Sequence, residues 1–257
     1  MNETETLAQK IAEAVRSVFG RPKKSHYTTA IIVAGGSSSR MGDGISKQML
    51  KLRGIPVIVH TLLAFERANS VDEIVIAAKK EELALYQTLA KDYGITKLKK
   101  VVMGGETRQA SVKNAFSAIS DKTAFVSIHD GARCLITPEE IDRINAAAYA
   151  SGAAAAAVRV EETVKSEKSG LIEKTLDRDH IWLARTPQVF GVNIYQTALA
   201  IAARDGVTVT DDCALVENID YRIRLVECSK RNIKITTQED IPLAAAILAM
   251  RDEEVTP

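Results

Sequence analysis

Short runs of β-branched and aliphatic residues alternate along most of this chain with longer stretches in which apolar residues return every third or fourth position. The first pattern fits strands buried on both faces, and the second fits helices that lay one stripe on a core. From Thr28 onward it predicts strands at Thr29–Val33, Glu73–Ala78, Lys99–Met103 and Ala124–His129. Between and after them it predicts helices at Pro56–Ala68, Glu81–Tyr93, Thr107–Ile119 and Pro138–Ser151. Strands alternating with helices of this length imply an α/β fold whose sheet is mostly parallel and covered by helices on both faces.

The pattern changes after Ser151. Gly152–Val160 reads as an Ala/Val strand, and two short strand-like runs then flank the polar turn "SEKSG", which predicts a β-hairpin arm at about 160–186. An isolated two-stranded ribbon is marginal in water, so an arm carrying Val164, Leu176 and Trp182 needs a surface to pack on. A second copy of the chain is the simplest candidate, and a homodimer is expected. Helices at Val192–Arg204, Asp212–Asn218 and Ile241–Met250 and a strand at Arg222–Glu227 complete the chain. Leu7, Ile11, Ala14, Val15 and Val18 lie at helical spacing ahead of a basic "RPKK". This divides the sequence into a helix-and-linker extension, 1–27, and one domain, 28–257, that includes the arm.

Composition narrows the classes of function. The 257 residues are 46% hydrophobic, enough for one substantial core, and 34 Lys and Arg nearly balance 33 Asp and Glu. A formal net charge of +1 creates no global field for nucleic acid or a membrane surface, so any polyanion must meet a local cluster. Cys134, Cys213 and Cys228 form neither a disulfide framework nor a metal-ligand pair by spacing, as expected in a reducing cytoplasm. No stretch approaches the roughly 20 apolar residues of a membrane span.

The stretch Ile31–Leu50, "IIVAGGSSSRMGDGISKQML", holds the candidate chemistry. In an open α/β sheet ligands gather beyond the carboxyl ends of strands, which puts the loop after the first strand at a candidate site. Gly35 and Gly36 let successive backbone N–H groups approach a ligand and cradle an anion, with a phosphate as the natural guest. The spacing is neither GxGxxG nor GxxxxGK[ST], so this is neither a dinucleotide fingerprint nor a P-loop.

"AGGSSSRM" followed by "SKQML" resembles the triphosphate-binding signature of the sugar-nucleotide pyrophosphorylase-like nucleotidyltransferases. Further along come "GGETRQASV" (Gly104–Val112), "HDGAR" (His129–Arg133), "TVK" (Thr163–Lys165), "DR" (Asp177–Arg178), "TPQ" (Thr186–Gln188), "TVTDD" (Thr208–Asp212) and "NIKIT" (Asn232–Thr236). Their order and approximate spacing resemble the 2-C-methyl-D-erythritol 4-phosphate cytidylyltransferases from residue 28 to about 250. The resemblance implies a Rossmann-like fold and an enzyme that joins CTP to a polyol phosphate with release of pyrophosphate. It implies Mg²⁺, and a dimer through the arm.

It also implies site residues. Arg40 and Lys47 would grip the triphosphate and stabilise charge on the α-phosphoryl group and the departing pyrophosphate. Ala34, Gly35, Gly36 and Ser37 would complete the phosphate loop, while Gly104, Gly105 and Ser111 would contact cytosine. Arg178 and Lys234 would orient the acceptor's phosphate, Arg178 reaching the partner's site if the arm crosses over. Thr163, Thr186 and Thr210 would offer hydroxyls to the acceptor. Asp130 and Arg133 follow a strand end, and Asp130 is the best carboxylate for nucleotide, acceptor or Mg²⁺. His129 invites a general-base role, yet a phosphate acceptor is already ionised near neutral pH and needs none, so a structural histidine is expected. Cys134 stands where the family usually has proline, Gly131 where alanine is usual, Ser46 where proline precedes the lysine and Met49 where an aromatic follows; none removes a cation. The nearest competing readings are a ribitol 5-phosphate cytidylyltransferase and a non-catalytic nucleotide sensor on the same fold.

Overall fold

A computed structural model describes residues 26–36 and 46–255, with side chains to Asp252. The expected helix over 5–19, Ser37 and Arg40 lie outside the described residues.

Except at Trp182–Gly191, the strands of the main sheet form close to where the pattern places them. β1 (Thr28–Val33), β4 (Glu73–Ala78), β5 (Leu98–Met103), β6 (Phe125–Asp130), β7 (Ala153–Arg159), β10 (Trp182–Gly191) and β11 (Arg224–Glu227) make one sheet in the order β11-β7-β10-β6-β1-β4-β5. β2 (Lys51–Leu52) with β3 (Ile55–Pro56), and β8 (Lys165–Lys168) with β9 (Leu171–Thr175), are separate two-stranded ribbons. Of the seven strands, β10 alone runs antiparallel to its neighbours β6 and β7. Trp182–Thr186, placed with the arm on sequence, thus begins a central strand, and the arm proper is β8–β9. Trp182 pairs with Arg159, whose guanidinium lies 4.3 Å from the indole centroid, a contact within this chain that leaves the indole half-buried.

The helices are α1 (Val57–Arg67), α2 (Leu83–Asp92), α3 (Arg108–Phe116), α4 (Pro138–Ser151), α5 (Val192–Asp205), α6 (Asp212–Glu217) and α7 (Asp240–Val255). On one face Ile58, Leu62 and Phe65 of α1 and Tyr86 of α2 pack on Ile32, Ile74 and Ile76. On the other, Val112, Tyr195 and Leu215 pack on Ile31, Val75 and Ile128. α4 shows how local chemistry sets an element's ends. Thr137 and Glu140 form a reciprocal capping box, Pro138 occupies the first turn, and Gly152 ends the helix at φ 82°. The five alanines Ala153–Ala157 that follow are fully buried, a strand enclosed on both faces. No described helix is long and apolar enough to cross a membrane.

Candidate functional site

Three backbone hydrogen bonds align the carboxyl ends of the strands. Ala34 N donates to Ala77 O at 2.8 Å, Gly104 N to Ala78 O at 2.8 Å and Gly131 N to Val33 O at 2.9 Å. The loops after β1, β5 and β6 therefore open side by side into a cleft of about 460 Å³. Gly35, Gly36, Lys47, Gly105, Asp130 and Lys234 reach it, as does Arg108. Among the described residues around the rim, Lys47, Lys79, Arg108 and Lys234 face Glu106 and Asp130, a local cationic excess in a chain of net charge +1.

The glycines divide by what surrounds them. A Cβ on Gly105 would lie 2.4 Å from the Ala110 Cβ, and one on Gly104 would lie 2.9 Å from Ser111 Oγ, so both are required by the turn into α3. At Gly36 no heavy atom of the described residues lies within 4 Å of such a Cβ. Ser111 Oγ accepts from Gly105 N at 3.0 Å and donates to Thr107 O at 2.9 Å, while Thr107 caps α3 by accepting from Ala110 N. Ser111 thus shapes the turn that carries Gly105 to the cleft. Lys47 opens a short 3-10 turn, Lys47–Met49, in which buried Gln48 accepts a hydrogen bond from Ser46 Oγ at 3.0 Å.

Asp130, the last residue of β6, is the electrostatic centre. Lys234 Nζ lies 2.9 Å from its Oδ2, Arg108 Nε 3.3 Å from Oδ1 and Arg133 Nε 3.4 Å from Oδ2. Burial alone would raise its pKa, but Lys234, then Arg108 and Arg133, hold it well below the usual carboxylate range. Lys234 is brought there by Ile235 N, which donates to Ala132 O at 2.8 Å.

Behind Asp130 the residues are interlocked. His129 is fully buried, which lowers its pKa to about 4. Its Nε2 faces the Arg133 carbonyl at 3.1 Å and so carries the proton; Nδ1 then accepts from the Thr186 hydroxyl at 3.0 Å. That hydroxyl accepts from Asp130 N at 3.1 Å. With its one proton committed to the Arg133 carbonyl and Nδ1 occupied by Thr186, His129 is held as a structural group, in keeping with the role expected. Arg133 donates to Asn232 O at 3.2 Å, and Asn232 donates to Thr186 O at 3.0 Å. Thr186 and Arg133 therefore sit behind the Asp130 carboxylate, outside the lining of the cleft. Gly131, the departure from alanine, backs onto α1: a Cβ there would come within 2.8 Å of Ile58 Cδ1 and 3.1 Å of Val33 O. Cys134 is buried in the following turn, its thiol pushed up to about 12 by desolvation.

Thr163 and Arg178 lie exposed where the arm joins the body, and Arg178 Nη1 donates to the Glu161 carbonyl. Thr210 is exposed ahead of α6. None of these three lines the cleft of its own chain.

Sequence reasoning assigned no role to Arg108 or to the group behind it. Arg108 Nη1 donates to Asp212 Oδ2 at 2.6 Å, and Tyr195 OH donates to Asp212 Oδ1 at 2.6 Å. Gln188 of "TPQ" clamps the "TDD" turn, its Oε1 accepting from Asp212 N and Cys213 N at 3.0 Å each. A signal was available in the placement of an arginine in the first turn of a helix, where the dipole disfavours a cation and acidic partners are called for.

Residues 28–250 match the family described as IspD, 2-C-methyl-D-erythritol 4-phosphate cytidylyltransferase. Curated proteins of that name are similar across nearly their whole length. That of Pelotomaculum thermopropionicum is 41% identical over 224 residues, 86% of this chain and 94% of its own. That of Chlorobium phaeovibrioides is 44% identical over 232 residues, covering 85% and 96%. The crystal structure of 4-diphosphocytidyl-2C-methyl-D-erythritol synthase from Anaerococcus prevotii superposes with a TM-score of 0.78 at 27% identity, over 87% of this chain and 99% of that one. The Francisella tularensis 2-C-methyl-D-erythritol 4-phosphate cytidylyltransferase superposes at 0.71 with 32% identity, over 85% and 98%. A Rossmann-like sheet, a cation-rimmed cleft at its carboxyl edge and likeness along almost the entire described domain place this chain in the 2-C-methyl-D-erythritol 4-phosphate cytidylyltransferase family.

Proposed function

We propose that this chain transfers the cytidylyl group of CTP to 2-C-methyl-D-erythritol 4-phosphate in the cytoplasm, giving 4-diphosphocytidyl-2-C-methyl-D-erythritol and pyrophosphate in the non-mevalonate route to isoprenoid precursors. The observation that carries the reading is the single cleft in which Gly35, Gly36 and Lys47 come together with Asp130 and Lys234. Two anions must meet for this reaction, and the cationic excess of the rim suits both.

An oxygen of the acceptor's phosphate bonds to the α-phosphorus of CTP while the bond from that phosphorus to the bridging oxygen breaks, and the electron pair leaves with pyrophosphate. No protein nucleophile or base is needed, which accords with a neutral His129 whose nitrogens are both occupied. Lys47 and Arg40 hold the triphosphate and offset charge on the leaving group. The backbone of Ala34–Ser37 cradles phosphate, and the Gly104–Gly105 turn with Ser111 receives cytosine. Lys234, with Arg178 from the arm of a second copy, orients the acceptor's phosphate. Thr163, Thr186, Thr210 and Arg133 belong to the acceptor side, Thr186 and Arg133 by fixing Asp130.

Among the described residues no group of three or more His, Cys, Asp or Glu side chains could cage a metal, and both Asp130 oxygens already face cations. Mg²⁺ keeps much of its water and would arrive on the substrate phosphates, and Asp130, the carboxylate expected to meet it, would do so only through an oxygen that one of its cations gives up on substrate binding. Bound there, the ion would neutralise phosphate charge.

The test is pyrophosphate release from CTP and Mg²⁺ with 2-C-methyl-D-erythritol 4-phosphate, run beside ribitol 5-phosphate and repeated for Lys47→Ala. Release with the first acceptor, reduced about 10²- to 10³-fold in the variant, is expected. Release with ribitol 5-phosphate alone would reassign the acceptor, and silence with both would refute transfer.

A further inference from the structure

Arg108 is the first residue of α3, the end at which the helix dipole opposes a cation. It is held there from both sides, through Nη1 by Asp212 at 2.6 Å and through Nε by Asp130 at 3.3 Å. Asp212 is itself fixed independently of the cleft. Tyr195, fully buried and stacked on Phe190, donates to one of its oxygens, and Gln188 accepts from its backbone N–H. The remaining terminal nitrogen of Arg108, Nη2, is buried without a hydrogen-bond partner among the described residues, so among these the fork is set by its two carboxylates.

Asp130 is shared among three cations that differ in how firmly they are tied. Lys234 is the most exposed, its side chain 34% accessible against 26% for Arg108 and 10% for Arg133. A lysine cannot give its charge in full to Asp130 and to a substrate phosphate together, so a Lys234 that takes the acceptor's phosphate must loosen from Asp130. A nearly buried carboxylate that loses a cation is less stable ionised and is free to turn, unless the other cations stay. Arg108, tethered at its far end, is the one built to stay on the cleft side.

We propose that Arg108 is a positioning residue: anchored through Asp212 to Tyr195, it holds the Asp130 carboxylate in place while Lys234 passes from Asp130 to the acceptor's phosphate. The proposal rests on the reading above that Lys234 receives that phosphate. It makes the Tyr195–Asp212–Arg108–Asp130 chain a support for the acceptor half of the cleft, reaching from the aromatic core on one face of the sheet to the reacting groups.

Calorimetric titration with 2-C-methyl-D-erythritol 4-phosphate and, separately, with CTP and Mg²⁺ tests it in wild type, Arg108→Gln, Arg108→Lys and Tyr195→Phe. Arg108→Gln is expected to weaken acceptor binding about tenfold and leave CTP within about twofold. Arg108→Lys, which keeps the charge but not the fork, recovers part of the loss. Tyr195→Phe keeps the volume of the core and gives a smaller shift in the same direction, so the test survives if Arg108→Gln folds poorly. Unchanged acceptor binding in both Arg108→Gln and Tyr195→Phe overturns the proposal alone, as does an equal loss for the two ligands, the mark of a general structural role. Loss of CTP binding only overturns it by moving Arg108 to the nucleotide. A wild-type protein that binds CTP but not the acceptor overturns the functional reading and this proposal together.

Discussion

Gly36 and Gly105 read alike in the sequence and differ in the fold. At Gly105 a methyl group meets Ala110 at 2.4 Å, so Gly105→Ala is expected to cost about 1–3 kcal/mol of stability in urea unfolding, by overpacking the turn into α3. At Gly36 no described residue stands in the way of a methyl group, and Gly36→Ala should unfold like wild type yet bind CTP about tenfold more weakly if, as proposed, the triphosphate occupies that space. Equal effects at the two positions would refute this division. His129 supports a prediction with a sign. Its pKa falls from 6.5 to about 4 on burial, so between those values the unfolded chain binds the extra proton and stability rises with pH. Between pH 7 and pH 5 this contributes a loss of about 2 kcal/mol. Asp212, whose pKa burial raises, acts with the opposite sign, so the readout is the comparison with His129→Gln. The variant should lose less stability than wild type over that interval, and an identical loss would remove His129 as the cause.

The elements were legible to different degrees, for physical reasons. The parallel strands and their helices announce themselves because each strand is buried on both faces and each helix on one, so period and burial agree, as in β4, whose six residues are all buried. β7 reads correctly despite five consecutive alanines, because Gly152 closes the preceding helix. β10 was legible only in part. It carries Arg185, Thr186 and Pro187 in mid-course, and a proline argues against a central strand. The sheet accommodates it where the β7–β10 register shifts between Ala184 and Gln188, a feature that exists only once both strands are side by side. The arm tip yields the element-scale prediction. Leu171 and Ile172 are 73% and 69% exposed on a ribbon that is marginal alone. If the chain dimerises through the arm as proposed, replacing both with Asp should shift sedimentation from dimer to monomer while leaving the sheet's far-UV dichroism unchanged. A variant that sediments like wild type would exclude the tip from the interface.

At the scale of the whole molecule, near-neutral net charge offers no global field for a polyanion and leaves anion binding to a local cluster, which the fold supplies where β1, β5 and β6 end together. Lys47, Asp130 and Lys234, far apart in sequence, were legible as one site only through resemblance, since no single motif fixes their meeting. Arg108 escaped because its role depends on Asp212, 104 residues away. Arg178 and Thr163 raise the remaining question, because neither lines the cleft of its own chain while both stand at the base of an exposed arm. If the arm crosses to a second copy, each site takes Lys47 from one protomer and Arg178 from the other. Mixing Lys47→Ala chains with Arg178→Ala chains then creates heterodimers in which one site carries both substitutions and the other carries none. With random exchange in a two-fold dimer about a quarter of all sites are intact, so activity should return to about a quarter of wild type from two inactive preparations. If mass spectrometry shows heterodimers and no activity returns, Arg178 does not complete the partner's site, and the acceptor's phosphate is left to Lys234 and the groups that surround Asp130.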